Sequence, residues 1–184
     1  MKPLFTVHVG EYLVGSHIEQ HYKQASVWIP SRDTGVDLMV SDRKGRSTVS
    51  IQVKFSKDYL PTQMEAEFQE PLRVCSWFRT NREKLRASQA DFWVFVLRGF
   101  KTRKPDFVIL PTQELRKRLC LIHGSKNKTI DSYLWVTESG RCWDERGLKD
   151  ADDHKIADGL YENPVREFTK WLNEWGPLMK KLSR

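Results

Sequence analysis

The chain is short of cysteine: Cys75, Cys120 and Cys142 lie 45 and 22 positions apart, an odd number with no close pair. That spacing excludes a zinc knuckle and a Cys-x-x-Cys redox motif, and leaves three buried or inert thiols. No apolar run approaches 18 residues and the mean hydropathy is −0.59, which excludes a membrane-spanning helix. Met1-Lys2-Pro3-Leu4-Phe5 lacks the apolar stretch of a signal peptide, so the chain reads as cytoplasmic with no membrane partner. Internal repeats and linker-like segments are also missing. His17 and His21 stand four apart without the glutamate of a zinc helix, and read as ordinary helix-surface histidines.

Apolar and aromatic residues are plentiful enough to exclude disorder, at 39% hydrophobic and 11% aromatic with seven Trp. Residues 1–184 read as a single domain, of a size that buries roughly 70% of the surface its unfolded chain exposes. Charge is abundant and uneven. The total is +7, and the window from Arg98 to Lys128 alone carries nine basic against two acidic side chains. A second basic group, Arg43, Lys44, Arg46, Lys54 and Lys57, surrounds a strand-like segment, while Glu138 to Asp158 is acidic on balance. This asymmetry suits a polyanion on one side of the molecule, or a solvated face that keeps the protein soluble.

Val9 to Ala25 has helical spacing, with Glu11, Gly15, Ile18 and Tyr22 on one largely uncharged stripe and Glu19 stepping to Lys23 on the outside. Glu11 is therefore expected to face inward. Three strands follow, at Val27 to Ile29, Val36 to Val40 and Val49 to Phe55, with Ser41 to Ser47 as a hairpin connection. Pro71 is read as opening a helix from Leu72 to about Arg86. Asp91 to Leu97 is an almost unbroken apolar run, expected as a central strand covered on both faces. Asp106 to Leu110 forms a fifth strand, Thr112 caps the helix after it, and Tyr133 to Thr137 is another strand. A C-terminal helix is expected from Asn163, with Val165, Phe168, Leu172 and Trp175 on one stripe and Gly176-Pro177 as its stop.

Side chains alternate faces along a strand, so Gln52 and Lys54 share the face opposite Val49, Ile51, Val53 and Phe55. Asp37 lies opposite Val36, Leu38 and Val40, and a hairpin brings its carboxylate beside that pair. One carboxylate, one amide oxygen and one ammonium suit a hard divalent cation with a phosphate, because Mg²⁺ takes one or two protein carboxylates and fills its octahedron with water and phosphate oxygens. The spacing alone is common, recurring at Asp42-Arg43-Lys44 and Asp153-His154-Lys155. Gln52-Val53-Lys54 differs in lying inside an alternating strand, after a strand with an Asp and a helix with an inward Glu.

With these residues the chain resembles the PD-(D/E)XK nuclease superfamily, in a Q-x-K form similar to Mrr-like enzymes and archaeal Holliday-junction resolvases. The resemblance covers roughly Gly10 to Leu110 and implies an α/β restriction-endonuclease-like core. That core is a central mixed sheet flanked by helices in the order helix-strand-strand-strand-helix-strand, at about 10–110, with a C-terminal extension at about 111–184. By motif, Glu11 resembles the first-helix acid, Asp37 the metal-binding aspartate, Gln52 the (D/E) position and Lys54 the catalytic lysine. Val36 stands where the family often has proline, and Gln52 replaces the usual acid. The resemblance implies Mg²⁺ or Mn²⁺ held by Asp37, Gln52, the Val53 carbonyl and Glu11, and hydrolysis of phosphodiester bonds, with DNA as the expected partner and a homodimer or larger assembly as the expected state. Arg43, Lys44, Arg46, Lys101, Arg103, Lys104, Arg116 and Lys117 are the expected nucleic-acid contacts.

Two other readings are compatible with the sequence. One is a catalytically degenerate member of the fold that binds nucleic acid or a protein partner without cleavage. The other is an interaction module anchored by Trp77, Arg79 and Arg82, although Trp77 is expected in a helix core. Base stacking is not required to explain the Trp count, since Trp93, Trp171 and Trp175 fall on expected core stripes.

Overall fold

Alternating apolar residues build a sheet directly after the first helix. In the computed structural model, which describes residues 8–32, 35–102 and 104–183, α1 (Val9–His21) is followed by β1 (Ala25–Trp28), β2 (Leu38–Asp42) and β3 (Thr48–Lys57). α1 stops short of Ala25, whose N–H is taken by the Tyr22 carbonyl in a turn that opens β1. The three strands form an antiparallel meander in which Val27 faces Val40 and Leu38 faces Ile51.

The chain then departs from expectation. After the short helices α2 (Leu60–Gln63) and α3 (Ala66–Gln69), the segment read as a helix from Leu72 to about Arg86 is β4 (Leu72–Asn81) followed by one helical turn and a half, α4 (Arg82–Ala87). Its aromatic and β-branched residues fit a pleated surface. Leu72, Val74, Ser76, Phe78 and Thr80 are all buried, a period of two rather than 3.6. The Asn81 side chain accepts the Lys84 N–H at 3.0 Å and so starts α4.

β5 (Phe92–Arg98) and β6 (Asp106–Pro111) complete a five-stranded sheet ordered β1-β2-β3-β5-β6, in which β5 runs parallel to β3 and the other neighbours are antiparallel. This is the expected mixed sheet. Phe92 to Leu97 are buried without interruption, as a strand covered on both faces requires. α5 (Thr112–His123) follows, but Thr112 is its first residue rather than its cap. The Thr112 hydroxyl donates to the Ala90 carbonyl, tying the start of α5 to the approach to β5.

β7 (Thr129–Thr137) and β8 (Cys142–Asp144) pair with β4 in a second, antiparallel sheet ordered β4-β7-β8. α6 (Asp150–Ala157) and α7 (Gly176–Leu182) close the chain. The expected helix after Asn163 does not form, and α7 begins where that helix was to stop. Backbone pairing wins there. Phe168 N–H donates to Cys142 O at 2.7 Å and Asn173 N–H to Phe107 O at 2.6 Å, so the segment seals edges of both sheets. Asn173 adopts φ 56°, and its side chain accepts the Phe107 N–H and donates to Asp106. Left-handed backbone of this kind ends any helix.

Burial divides into three groups. α1 and α7 cover one face of the large sheet over Val14, Ile18, Ile51, Val94 and Leu178. The small sheet and α5 cover the other over Trp93, Phe95, Phe78, Leu115 and Leu134. Leu60, Phe68, Trp135, Trp143 and Ile156 fill the far side of the small sheet. Cys75 and Cys142 are buried and Cys120 is exposed, all three as free thiols. Among the described residues no helix is long and apolar enough to cross a membrane.

Candidate active site

β2 is shorter than β3, and that difference creates the site. β2 begins at Leu38, opposite Ile51, so beyond Ile51 the β2-side edge of β3 has no strand beside it. Val53 presents its main-chain groups to that same edge, two residues on. Asp37, one residue before β2, fills the gap: its N–H donates to Ile51 O at 2.8 Å, and its Oδ2 accepts the Val53 N–H at 2.8 Å. The Gln52 amide donates to the same Oδ2 and lies 3.5 Å from Val53 O. Gly35, at φ 81°, turns the chain into this approach in a backbone region that a side chain would strain.

Lys54 follows on the same face. Its Nζ stands 5.7 Å from the centre of the Trp93 ring, whose indole donates to Ser88 Oγ at 3.1 Å. Trp93 thus forms an apolar floor under the ammonium.

Glu11 is brought in by a close approach of the helix. A Cβ added to Gly10 would lie 2.8 Å from Phe55 Cβ and 3.2 Å from Val53 Cγ1, so only glycine lets the start of α1 rest on β3 here. Glu11 is buried, as expected, and its Oε2 accepts the His8 N–H at 3.3 Å, where the helix dipole favours a negative charge.

One cavity of about 1060 Å³ joins these groups. Glu11, Asp37, Gln52, Val53 and Lys54 line it from the large sheet and α1, while Arg79, Asn81, Lys84, Ser88 and Thr129 line it from the small sheet and α4. Arg79 and Lys84 are cations that the basic windows in the sequence do not contain. The signal available for the second is Asn81, a helix-capping residue three positions ahead of Lys84 at the end of an aromatic and β-branched run.

The expected nucleic-acid contacts are dispersed. Arg43, Lys44 and Arg46 are exposed at the β2–β3 hairpin, with Arg43 donating to Lys23 O at 3.0 Å. Lys101 donates to the Gln69 and Leu72 carbonyls and pairs with Glu138 at 3.7 Å, which ties it to the fold. Lys104 lines a separate cavity beside Tyr12 and His17. Arg116 donates to Leu85 O at 2.9 Å and Ser88 O at 3.0 Å, closing the C-terminal end of α4. Lys117 is exposed on α5, and Arg103 lies outside the described residues. None of the seven described side chains lines the cavity.

Of the alternative anchors, Trp77 is not in a helix core but 43% exposed on β4. Arg82 is buried, its Nε donating to Asn127 O at 2.8 Å. Trp93, Trp171 and Trp175 are buried, as their stripes required.

No protein-family model matches the chain, and no curated protein matches it. The solved structure of Hjc, a Holliday junction resolvase from the archaeal hyperthermophile Archaeoglobus fulgidus, is similar at a TM-score of 0.36 and 15% identity, over 85% of this chain and 100% of that one. A likeness of this depth adds nothing to the fold class, which rests on the strand order and pairing above.

Proposed function

We propose that the chain is a metal-dependent endonuclease that hydrolyses phosphodiester bonds, with DNA as its substrate. The observation that carries this reading is the convergence of Asp37, Gln52 and Lys54, with the main-chain edge of Val53, in one cavity that Glu11 also lines. Among the described residues no three His, Cys, Asp or Glu side chains gather as a metal cluster. The donors here are instead a carboxylate, an amide and a main-chain carbonyl, all hard oxygens. Such a set fits Mg²⁺ or Mn²⁺, which keep several waters, and not zinc, which favours sulfur and nitrogen.

Asp37 and Gln52 would hold the ion with the Val53 carbonyl, and Glu11 would act directly or through water. Bound there, a divalent ion supplies Lewis acidity toward a phosphate oxygen and lowers the pKa of water. Lys54 places its ammonium where negative charge develops on the phosphorus centre, or orients the attacking water. The buried Trp93 beneath it excludes solvent from one side and strengthens that charge interaction.

The Gln52–Asp37 hydrogen bond favours a second reading, since it satisfies the carboxylate without a cation. On that reading the protein binds nucleic acid or a partner without cutting. Incubation with supercoiled plasmid, linear duplex, branched DNA and RNA separates the two. Cutting in Mg²⁺ or Mn²⁺ that stops on adding chelator is the expected result, and intact substrates under every condition support the second reading.

A further inference from the structure

The outer face of the small sheet carries a row of two rings with a cation at each end, and the row starts at the rim of the cavity. Along β4, Ser76, Phe78 and Thr80 are buried, while Trp77 and Arg79 between them are exposed. Arg79 lines the cavity, and its guanidinium lies 4.9 Å from the centre of the Trp77 ring. Tyr133 is directly opposite Trp77 in the β4–β7 pairing, with ring centres 6.5 Å apart and planes 31° from parallel. Arg146 then lies 5.1 Å over the Tyr133 ring. The contacts run from Arg79 at the cavity to Trp77, across to Tyr133 and on to Arg146.

This row is held in position by its neighbours. Asp131, opposite Arg79 on β7, accepts from Arg79 Nε at 2.8 Å and from Trp77 Nε1 at 3.1 Å, fixing both the guanidinium and the indole. The hydrogen bond from Arg79 keeps the Asp131 carboxyl below its ordinary range, so the pair persists as ions. Tyr133 is backed edge-on by Tyr59, with centres 5.9 Å apart, and Tyr59 is anchored by the Trp135 indole at 2.6 Å. Preorganised rings of this kind lose little freedom when a flat ligand stacks on them.

We propose that the row is a platform for an unpaired polynucleotide strand flanking the phosphate in the cavity, with bases stacking on Trp77 and Tyr133 and phosphates meeting Arg79 and Arg146. The proposal rests on the reading of the cavity as a phosphodiester site and adds the kind of substrate it takes, a junction between paired and unpaired nucleic acid. Every base has a π-face, so such stacking tolerates sequence. In an intact duplex those faces are already covered by neighbouring bases. Trp and Arg also anchor protein partners. Continuity with the cavity and the cations at both ends of the row favour a polyanion.

The test is fluorescence anisotropy with a labelled oligothymidine and with a duplex of the same length, in chelator so that nothing is cut. Trp77→Ala and Tyr133→Ala should each weaken single-strand binding about tenfold, the weight of one stacked base. Trp77→Phe should restore most of it, and duplex binding should change by less than about twofold in all three, since duplex bases are already stacked. Circular dichroism checks that each variant is folded. Single-strand affinity unchanged in both alanine variants, or equal losses on single strand and duplex, overturns the platform. Cutting of a tailed duplex in Mg²⁺ by the unsubstituted protein is scored separately. Cutting with no effect of the variants on strand binding overturns the platform alone, and no cutting of any substrate overturns the cavity reading and with it the claim that the platform serves a scissile strand.

Discussion

Gln52 and Asp37 meet side chain to side chain just before β2 begins, and the Gln52 amide donates to the same Asp37 oxygen that takes the Val53 N–H. To offer its oxygen to a cation held by Asp37, the amide must turn over and give up that bond. A hydrogen bond to a charged group contributes about 1.5–3 kcal/mol, so the exchange lowers metal affinity by a corresponding margin.

Gln52→Glu removes that competition and adds a negative charge. In chelator the new carboxylate stands beside Asp37, so repulsion should lower the melting temperature below that of the unsubstituted protein. The metal affinity should rise about tenfold or more, the scale of the hydrogen bond no longer given up, and in excess Mg²⁺ the loss should reverse because binding to the folded state adds directly to stability. Calorimetric Mg²⁺ binding that is the same in the unsubstituted protein, in Gln52→Glu and in Asp37→Ala would remove these residues from the metal site.

The site is legible in the sequence because it depends on local patterns. Alternation along Val49 to Phe55 and the hairpin between Asp37 and Gln52 are short-range features, and they set which side chains meet. The cavity's other wall is not legible. Arg79 and Lys84 reach it through the pairing of β4 with β7, about 50 residues apart in sequence, and no local period reports a partner that distant. Leu72 to Asn81 reads as a helix because Pro71 suits a helix start as well as a strand approach. The stripe from Val165 to Trp175 does mark buried positions, Phe168 and Trp175 among them. Yet three- and four-residue spacing also arises when an irregular segment lies across two sheet edges.

Lys84 and Arg116 should separate binding from architecture. Replacing Lys84 together with Lys44 and Arg46 by Ala should flatten the dependence of duplex affinity on salt, by about 0.9 in log–log slope for each phosphate that is no longer neutralised. Arg116→Ala should leave the slope unchanged and lower folding stability by about 1–3 kcal/mol, because the Leu85 and Ser88 carbonyls each lose a charged donor. Salt titrations and urea melts on the same variants check both statements. A reduced slope in Arg116→Ala with normal stability would return that residue to the binding surface.

Glu145 and Asp153 should make stability fall as pH rises. Burial, then the charges of Asp153 and Asp144, pushes Glu145 up to about 7. Burial, then Asp150 and Asp152, pushes Asp153 up to about 6. Between the ordinary carboxylate range and these values the folded state keeps protons that the unfolded chain has shed, so stability declines with pH and levels off above about 7. His17, pushed down to about 4 by burial and then His21, acts with the opposite sign and loses stability as pH falls below its ordinary 6.5. The contribution of Glu145 is therefore read by comparing Glu145→Gln with the unsubstituted protein in urea melts at about pH 5 and about pH 8. The variant should gain relative stability at the higher pH. A stability difference that is the same at both values would refute the assignment.

The central claim is that Asp37 holds a divalent cation and Lys54 serves the phosphate beside it. The most direct measurement takes metal-dependent cutting and Mg²⁺ binding on the same preparations of Asp37→Ala and Lys54→Ala, each shown to be folded. Asp37→Ala should lose both. Lys54→Ala should bind Mg²⁺ normally and cut at least about a hundredfold more slowly, the scale of removing one charge-stabilising donor. Cutting at the unsubstituted rate by either variant, with contaminating nuclease excluded, would contradict the account.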